Sequence, residues 1–285
     1  EGDGGWDYLN ADESTGRIFI SHGSVVNVID EKDGKLIGII PDTKGVHGIA
    51  IAPDMNKAFI SNGRDSSVTI IDLSTLAFIT KVTVTGQNPD AILYDPFSHN
   101  VFAYNGRTAN ATVIDGSANK VIATIKLDGK PENSVSDGKG KVYVNIEDRN
   151  EISLINSKTN QVEQTWSIAP GEEASGLALD NETHRLFAVC SNKLMVILDA
   201  SSGKVITSVP IGDGSDGAAF DPALKRAYSS NGEGTLTVVQ EISPDEFKVL
   251  ENVTTQRGAR TLTVDKKTHH IFMSVAEYEA ASPSA

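Results

Sequence analysis

Val26-Asn-Val-Ile-Asp30, Val68-Thr-Ile-Ile-Asp72, Ala111-Thr-Val-Ile-Asp115, Ile152-Ser-Leu-Ile-Asn156 and Leu194-Met-Val-Ile-Leu-Asp199 are five copies of one phrase. A sixth, Leu236-Thr-Val-Val-Gln240, has lost the acid. The closing residues stand 41 to 43 positions apart. A fixed period in the forties, built from alternating β-branched runs, predicts an all-β propeller, because one such unit cannot bury its own sheet.

The third copy displays a whole unit. Asp90–Asp95 is short and apolar and reads as an inner strand. Val101–Tyr104, Ala111–Asp115 and Val121–Ile125 supply three more strands. Asn105-Gly106 between two of them reads as a two-residue hairpin with φ > 0 at both positions. Asp115 reads as the cap of the turn before the last strand, as do Asp30, Asp72 and Asp199. These carboxylates are therefore assigned to structure rather than chemistry.

Inner strands begin near Asp7, His47, Asp90, Glu132, Ser175 and Asp216. A seventh, Thr261–Asp265, is followed by one more strand, His270–Val275. The pattern then stops at Ala276–Ala285, which reads as a flexible tail. The expectation is a single seven-bladed domain over residues 1–285, its seventh blade incomplete. On this reading the missing strands lie beyond the two termini of the chain.

Bulk properties narrow the partners. A net charge of −13 argues against a nucleic-acid backbone and against anionic lipid. No apolar run approaches the length of a membrane span. Cys190 is the single cysteine, so no internal disulfide or multi-Cys metal motif exists; it reads as a small core residue. The chain is expected to be monomeric.

The Val-x-Val-Ile-Asp core, Gly203-Lys-Val-Ile206 after a turn, and Gly86–Asp90 and Gly129–Glu132 before new blades carry a likeness. They resemble the YVTN family of bacterial β-propellers, and within it the YncE-like proteins. Similarity runs from Gly2 to Arg260. The second strands depart from the eponymous tetrapeptide, reading Ile18-Phe-Ile-Ser21 and Val142-Tyr-Val-Asn145. The resemblance implies an exported, periplasmic or secreted protein whose signal peptide has been removed, and it implies little about mechanism.

Aligned repeats separate shared residues from deviant ones. The position five before the end of each inner strand reads Asp7, His47, Asp90, Glu132, Ser175, Asp216 and Arg260. A turn requirement alone does not select histidine and arginine there, so this ring is the candidate ligand site at the channel mouth. A second ring, in the loops after second strands, reads His22, Asn62, Asn105, Ile146, Cys190, Asn231 and Val275. Both rings are expected on one face, with Trp6 flooring or plugging the mouth. Arg64, Arg107 and Arg149 are expected just past the same loops.

Asp7, His22 and His47 form the candidate divalent-metal set, with no local spacing motif behind it. His99, His184, His269 and His270 fall at the opposite end. Trp166, in an outer strand, is read as packing between blades. There is no nucleophile elbow, P-loop, His-Glu-x-x-His or haem motif. The leading reading is an interaction protein holding a small molecule or protein partner at the channel mouth. The alternatives are a metal-dependent hydrolase or lyase, with Asp90, Glu132 or Asp216 as base, and a structural surface protein.

Overall fold

Each repeat folds into an antiparallel meander because its apolar runs alternate and polar turns separate them. The first sheet takes Trp6–Asp12, Arg17–His22, Val25–Asp30 and Leu36–Ile40 in chain order. Five more four-stranded sheets follow, and Leu262–Asp265 with His270–Met273 forms a two-stranded one. A computed structural model describes residues 4–276. Of the expected tail, all but Ala276 lies outside the described residues.

The inner strands neighbour one another in chain order, and Leu262–Asp265 lies against both Ser215–Asp221 and Trp6–Asp12. Side chains join the first and last sheets there. Thr261 Oγ1 donates to the Asp7 carbonyl at 2.7 Å, and Ala11 N–H donates to Thr263 Oγ1 at 3.2 Å.

The core lies between sheets rather than inside any one of them. Phe59 and Ile70 of the second sheet pack with Tyr94, Val101 and Ile114 of the third. Middle strands such as Asn100–Asn105 and Arg185–Cys190 are buried throughout. Outer strands such as Lys120–Lys126 alternate between exposed and half-buried positions until Ile125, which is buried. Cys190 is buried, as expected. Trp166 sits 6.0 Å from the Tyr143 ring and directly against Gly203 of the next sheet, confirming its packing role.

The repeated aspartates cap their turns. Asp30 accepts the Lys32 N–H, Asp115 those of Ser117 and Ala118, and Asp199 those of Ser201 and Ser202. Where the acid is lost, Gln240 instead donates to the Leu224 and Lys225 carbonyls, inside a longer hairpin of nine-residue strands.

Asp199 also meets the buried Arg185 at 3.1 Å. Burial opposes its charge, but the Ser201 and Ser202 hydrogen bonds outweigh that and hold its carboxyl down at about 2. Asp199→Ala is expected to cost about 1–2 kcal/mol at neutral pH. A depressed pKa contributes stability that is present above the unfolded value and lost as pH falls. The deficit should therefore shrink below about pH 4, which thermal melts across pH would show.

The Asn-Gly expectation needs correction. One strand ends at Asn105 and the next begins at Asn110, so the loop has four residues and the positive φ falls on Ala109. The asparagine is there for its side chain. Asn62, Asn105 and Asn231 donate to Thr69, Thr112 and Thr237 of the adjoining strand at 2.9–3.0 Å. All three are buried, where an unpaired amide would be costly.

Candidate functional site

A β-bulge opens the inner strands. Register slips between Trp6 and Leu9, Val46 and Ile49, Pro131 and Ser134, Ala174 and Gly176, and Ser215 and Gly217. The extra residue bends the strand and re-aims its side chains, and here it falls on the ring positions Asp7, His47, Glu132, Ser175 and Asp216. In the third sheet the irregularity falls opposite Asp90. Close backbone approach then brings neighbouring ring members together. A Cβ on Gly48 would stand 2.9 Å from Ile92 Cγ2 and 3.1 Å from the Asp90 carbonyl oxygen, so a side chain there would push the strands apart.

Six of the seven ring residues are engaged with one another or with Lys130. His47 Nδ1 lies 2.6 Å from Asp7 Oδ2 and 3.6 Å from Asp90 Oδ1. Arg260 reaches Asp216 at 3.1 Å and the other oxygen of Asp7 at 3.8 Å. Glu132 takes Lys130 at 2.6 Å, and Lys130 also holds Glu147 at 2.5 Å. Ser175 turns instead to the next sheet, donating to the Ser215 carbonyl at 2.9 Å. It is scaffold.

Charge is unevenly matched at this mouth. Asp7, Asp90, Glu132, Asp216 and Glu147 face two permanent cations, Lys130 and Arg260, and one titratable imidazole. Burial, then the field of Asp90, pushes the Glu132 carboxyl up to about 7. Burial pushes Asp216 up to about 6 against the pull of Arg260, and it raises Asp90 as well. His47 is disfavoured as a cation by burial. The hydrogen bond with Asp7 and the field of Asp90 outweigh that, and its pKa is raised.

Tyr8, Lys130 and Glu147 also belong to the mouth, although no charge pattern in the repeats marks them. Tyr8 lies deep in the fold yet keeps part of its surface exposed, as a side chain projecting into an open channel does. Burial and the fields of Asp216, Asp90, Glu132 and Asp7 all raise its pKa, so the phenol stands among the carboxylates. Its hydroxyl makes no hydrogen bond among the described residues. The aligned position in the other repeats holds Gly48, Ala91, Asn133, Gly176, Gly217 and Thr261. One large residue in a ring of small ones was a signal available to the eye. Further along the inner strands lies an open, mostly polar cavity of about 350 Å³, lined by Asn10, Asn133, Ser134 and Asn181 as well as Leu9 and Phe220.

His22 does not join the ring. It is 3% exposed, stacks flat on Trp6 with ring centroids 4.1 Å apart, and places Nδ1 3.5 Å from Asn27 Nδ2. It thus occupies the place that asparagine fills in other sheets. Trp6 covers His22 with its ring face. The metal set expected as Asp7, His22 and His47 is therefore corrected on geometry. Among the described residues, the ligand atoms drawn within 4.8 Å of one another belong to Asp7, His47 and Asp90.

Arg64, Arg107 and Arg149 are exposed past their loops, Arg149 being tied to the Asp128 carbonyl at 3.0 Å. His99, His184 and His269 hold the same left-handed turn position, with φ of 57°, 57° and 63°, at the far end of their sheets. His269 binds Asp221 at 2.7 Å and His99 binds Asp54 at 3.1 Å, both away from the mouth.

The sheets and their order are those of a β-propeller. Solved structures of that fold are similar over nearly the whole chain. A chain of the Kuenenia stuttgartiensis hydrazine synthase structure matches with TM-score 0.78 and 16% identity, covering 95% of this chain and 96% of that one. The RRP9 WD40-repeat structure matches with TM-score 0.86 and 9% identity, covering 99% and 90%. A chain of the mitotic checkpoint complex matches with TM-score 0.82 and 12% identity, covering 94% and 83%. At these identities the likeness is one of fold. No family model matches the chain, and no curated protein matches it. The resemblance to the YVTN family rests on the repeat motifs.

Proposed function

We propose that this chain is a seven-bladed, exported binding protein of the YVTN kind, whose channel mouth holds a positively charged group of a small ligand or protein partner. The carrying observation is the ring itself. Four carboxylates from four inner strands converge with Glu147 on a partly enclosed site where, among the described residues, Lys130 and Arg260 are the permanent cations paired with them. Burial first, and then neighbouring carboxylates, raise the Glu132 and Asp216 pKa values, and perturbed groups of this kind concentrate where ligands bind. A cation entering the mouth would supply what is missing. The strongly acidic chain agrees with a partner that is not nucleic acid, and among the described residues no helix is long and apolar enough to cross a membrane.

Calorimetric titration with organic ammonium and guanidinium compounds tests this reading. Saturable binding is expected, and Asp216→Asn should weaken it about tenfold or more, as for loss of one charged hydrogen-bond partner. Asp54→Asn, at the far end of the sheets, should leave it unchanged. Equal affinity in all three proteins would remove the mouth from consideration.

A metal-dependent enzyme is the second reading, favoured by the proximity of Asp7, His47 and Asp90. In it Glu132, whose carboxyl lies near 7, is the available base.

A further inference from the structure

We infer that Asp7, His47 and Asp90 bind one divalent transition-metal cation, resting on the reading of the mouth as a cation site. Three ligands come from three successive inner strands: two carboxylate oxygens and one imidazole nitrogen, mutually within 4.8 Å. One imidazole with two carboxylates suits zinc, cobalt, manganese or iron, and two carboxylates neutralise a doubly charged ion.

Details of the shell agree. Arg260 lies 3.8 Å from Asp7 Oδ1 and is committed to Asp216, whereas His47 addresses Oδ2. The oxygen beside the imidazole is therefore free of the guanidinium. Lys130 is held by Glu132 and Glu147, one strand further round.

The imidazole is also oriented from behind. A Cβ on Gly63 would stand 2.8 Å from His47 Nε2, so the ring packs edge-on against that bare backbone. Nε2 faces Gly63, and Nδ1 faces Asp7 and Asp90. That packing presents Nδ1 as the ligand nitrogen. Gly63 is a positioning residue. Tyr8, whose phenol feels the fields of Asp7 and Asp90 and makes no hydrogen bond among the described residues, stands beside the three ligands.

The test uses the whole chain, freed of metal by chelator and then titrated with Co²⁺, Zn²⁺, Mn²⁺ and Mg²⁺. Calorimetry gives stoichiometry, and the visible spectrum of bound Co²⁺ reports an imidazole ligand. One ion per chain is expected, with Mg²⁺ the weakest. His47→Ala and Asp90→Asn should each weaken Co²⁺ binding by about 100-fold or more, beyond the 10–100-fold typical of outer-shell changes. Gly63→Ala should weaken it within that outer range and shift the Co²⁺ spectrum. His22→Ala should bind the ion as the parent does. His47→Gln, closer in size, covers the case in which the alanine variant fails to fold.

Undiminished Co²⁺ binding in folded His47 and Asp90 variants overturns the assignment. So does the absence of binding by every ion. If ammonium compounds still bind in an Asp216-dependent way while metals do not, the metal inference falls and the cationic-mouth reading stands. If neither class binds, both fall.

Discussion

Replacing Phe187 with alanine is expected to cost about 3–5 kcal/mol and to lower Tm by roughly 10 °C. Phe187 lies fully buried in the fifth sheet's second strand. Its ring stacks on Phe220 at 5.2 Å and meets Phe247 edge-on at 5.8 Å, and both partners belong to the sixth sheet. The contact therefore holds two sheets together, with Ile197, Val209 and Val239 around it. Aromatic pairs contribute beyond the area they bury, so the cavity and the lost pairing both count.

A loss of that size is a large part of the stability of an ordinary domain. Because each sheet packs on its neighbours, it should propagate round the ring as one cooperative transition. Phe187→Leu should lose clearly less, since it keeps most of the volume. Denaturant melts of the two variants decide the matter. Equal losses would mean that aromatic pairing, not volume, sets the cost.

Much of this arrangement was legible in the sequence because a repeat supplies its own alignment. Six four-stranded sheets, the last two-stranded one and the turn-capping role of Asp30, Asp115 and Asp199 follow from period, alternation and acid placement. The ring of Asp7, His47, Asp90, Glu132, Asp216 and Arg260 was legible for the same reason: these residues deviate where the scaffold has no preference. His22 misled for a physical reason. Its column contains asparagines that serve the adjoining strand, and an imidazole stacked on Trp6 can stand in that place. Asn105-Gly106 misled because a local turn preference yielded to a side-chain bond with Thr112. Tyr8 stands out from its column by size and not by charge, so the charge pattern of the ring does not reveal it. Lys130 and Glu147 reach the mouth from beside the ring, a convergence that linear spacing does not encode.

Glu132→Gln is expected to make the metal-free protein more stable at pH 8, by about 2–3 kcal/mol, with the gain vanishing near pH 4. The sign follows from the direction of the shift. Burial and Asp90 raise the folded-state pKa of Glu132 to about 7, above the ordinary carboxyl value. A raised pKa means the folded protein holds the proton more tightly than the unfolded chain does. Its contribution is present in full below the unfolded value and is lost as pH climbs through about 7. Asp216, raised to about 6, and Asp90 act in the same direction, so the parent should lose stability from about pH 4 to pH 8.

Asp12, Asp95 and Asp199 are depressed and act oppositely, withdrawing stability as pH falls below the ordinary carboxyl range. The parent's stability should therefore peak in mildly acidic solution. Glutamine removes one buried charge and can still accept from Lys130, which keeps Glu147 as its counter-ion. Because Glu132 and Asp90 interact, the alkaline loss belongs to the cluster, and one substitution should relieve part of the burden on its neighbour. Urea melts of parent and variant at pH 4, 6 and 8 measure the difference directly. A gain of equal size at all three values would trace to packing and not to charge. A gain confined to pH 6 and above would show that the fold keeps this mouth acidic at a cost in its own stability.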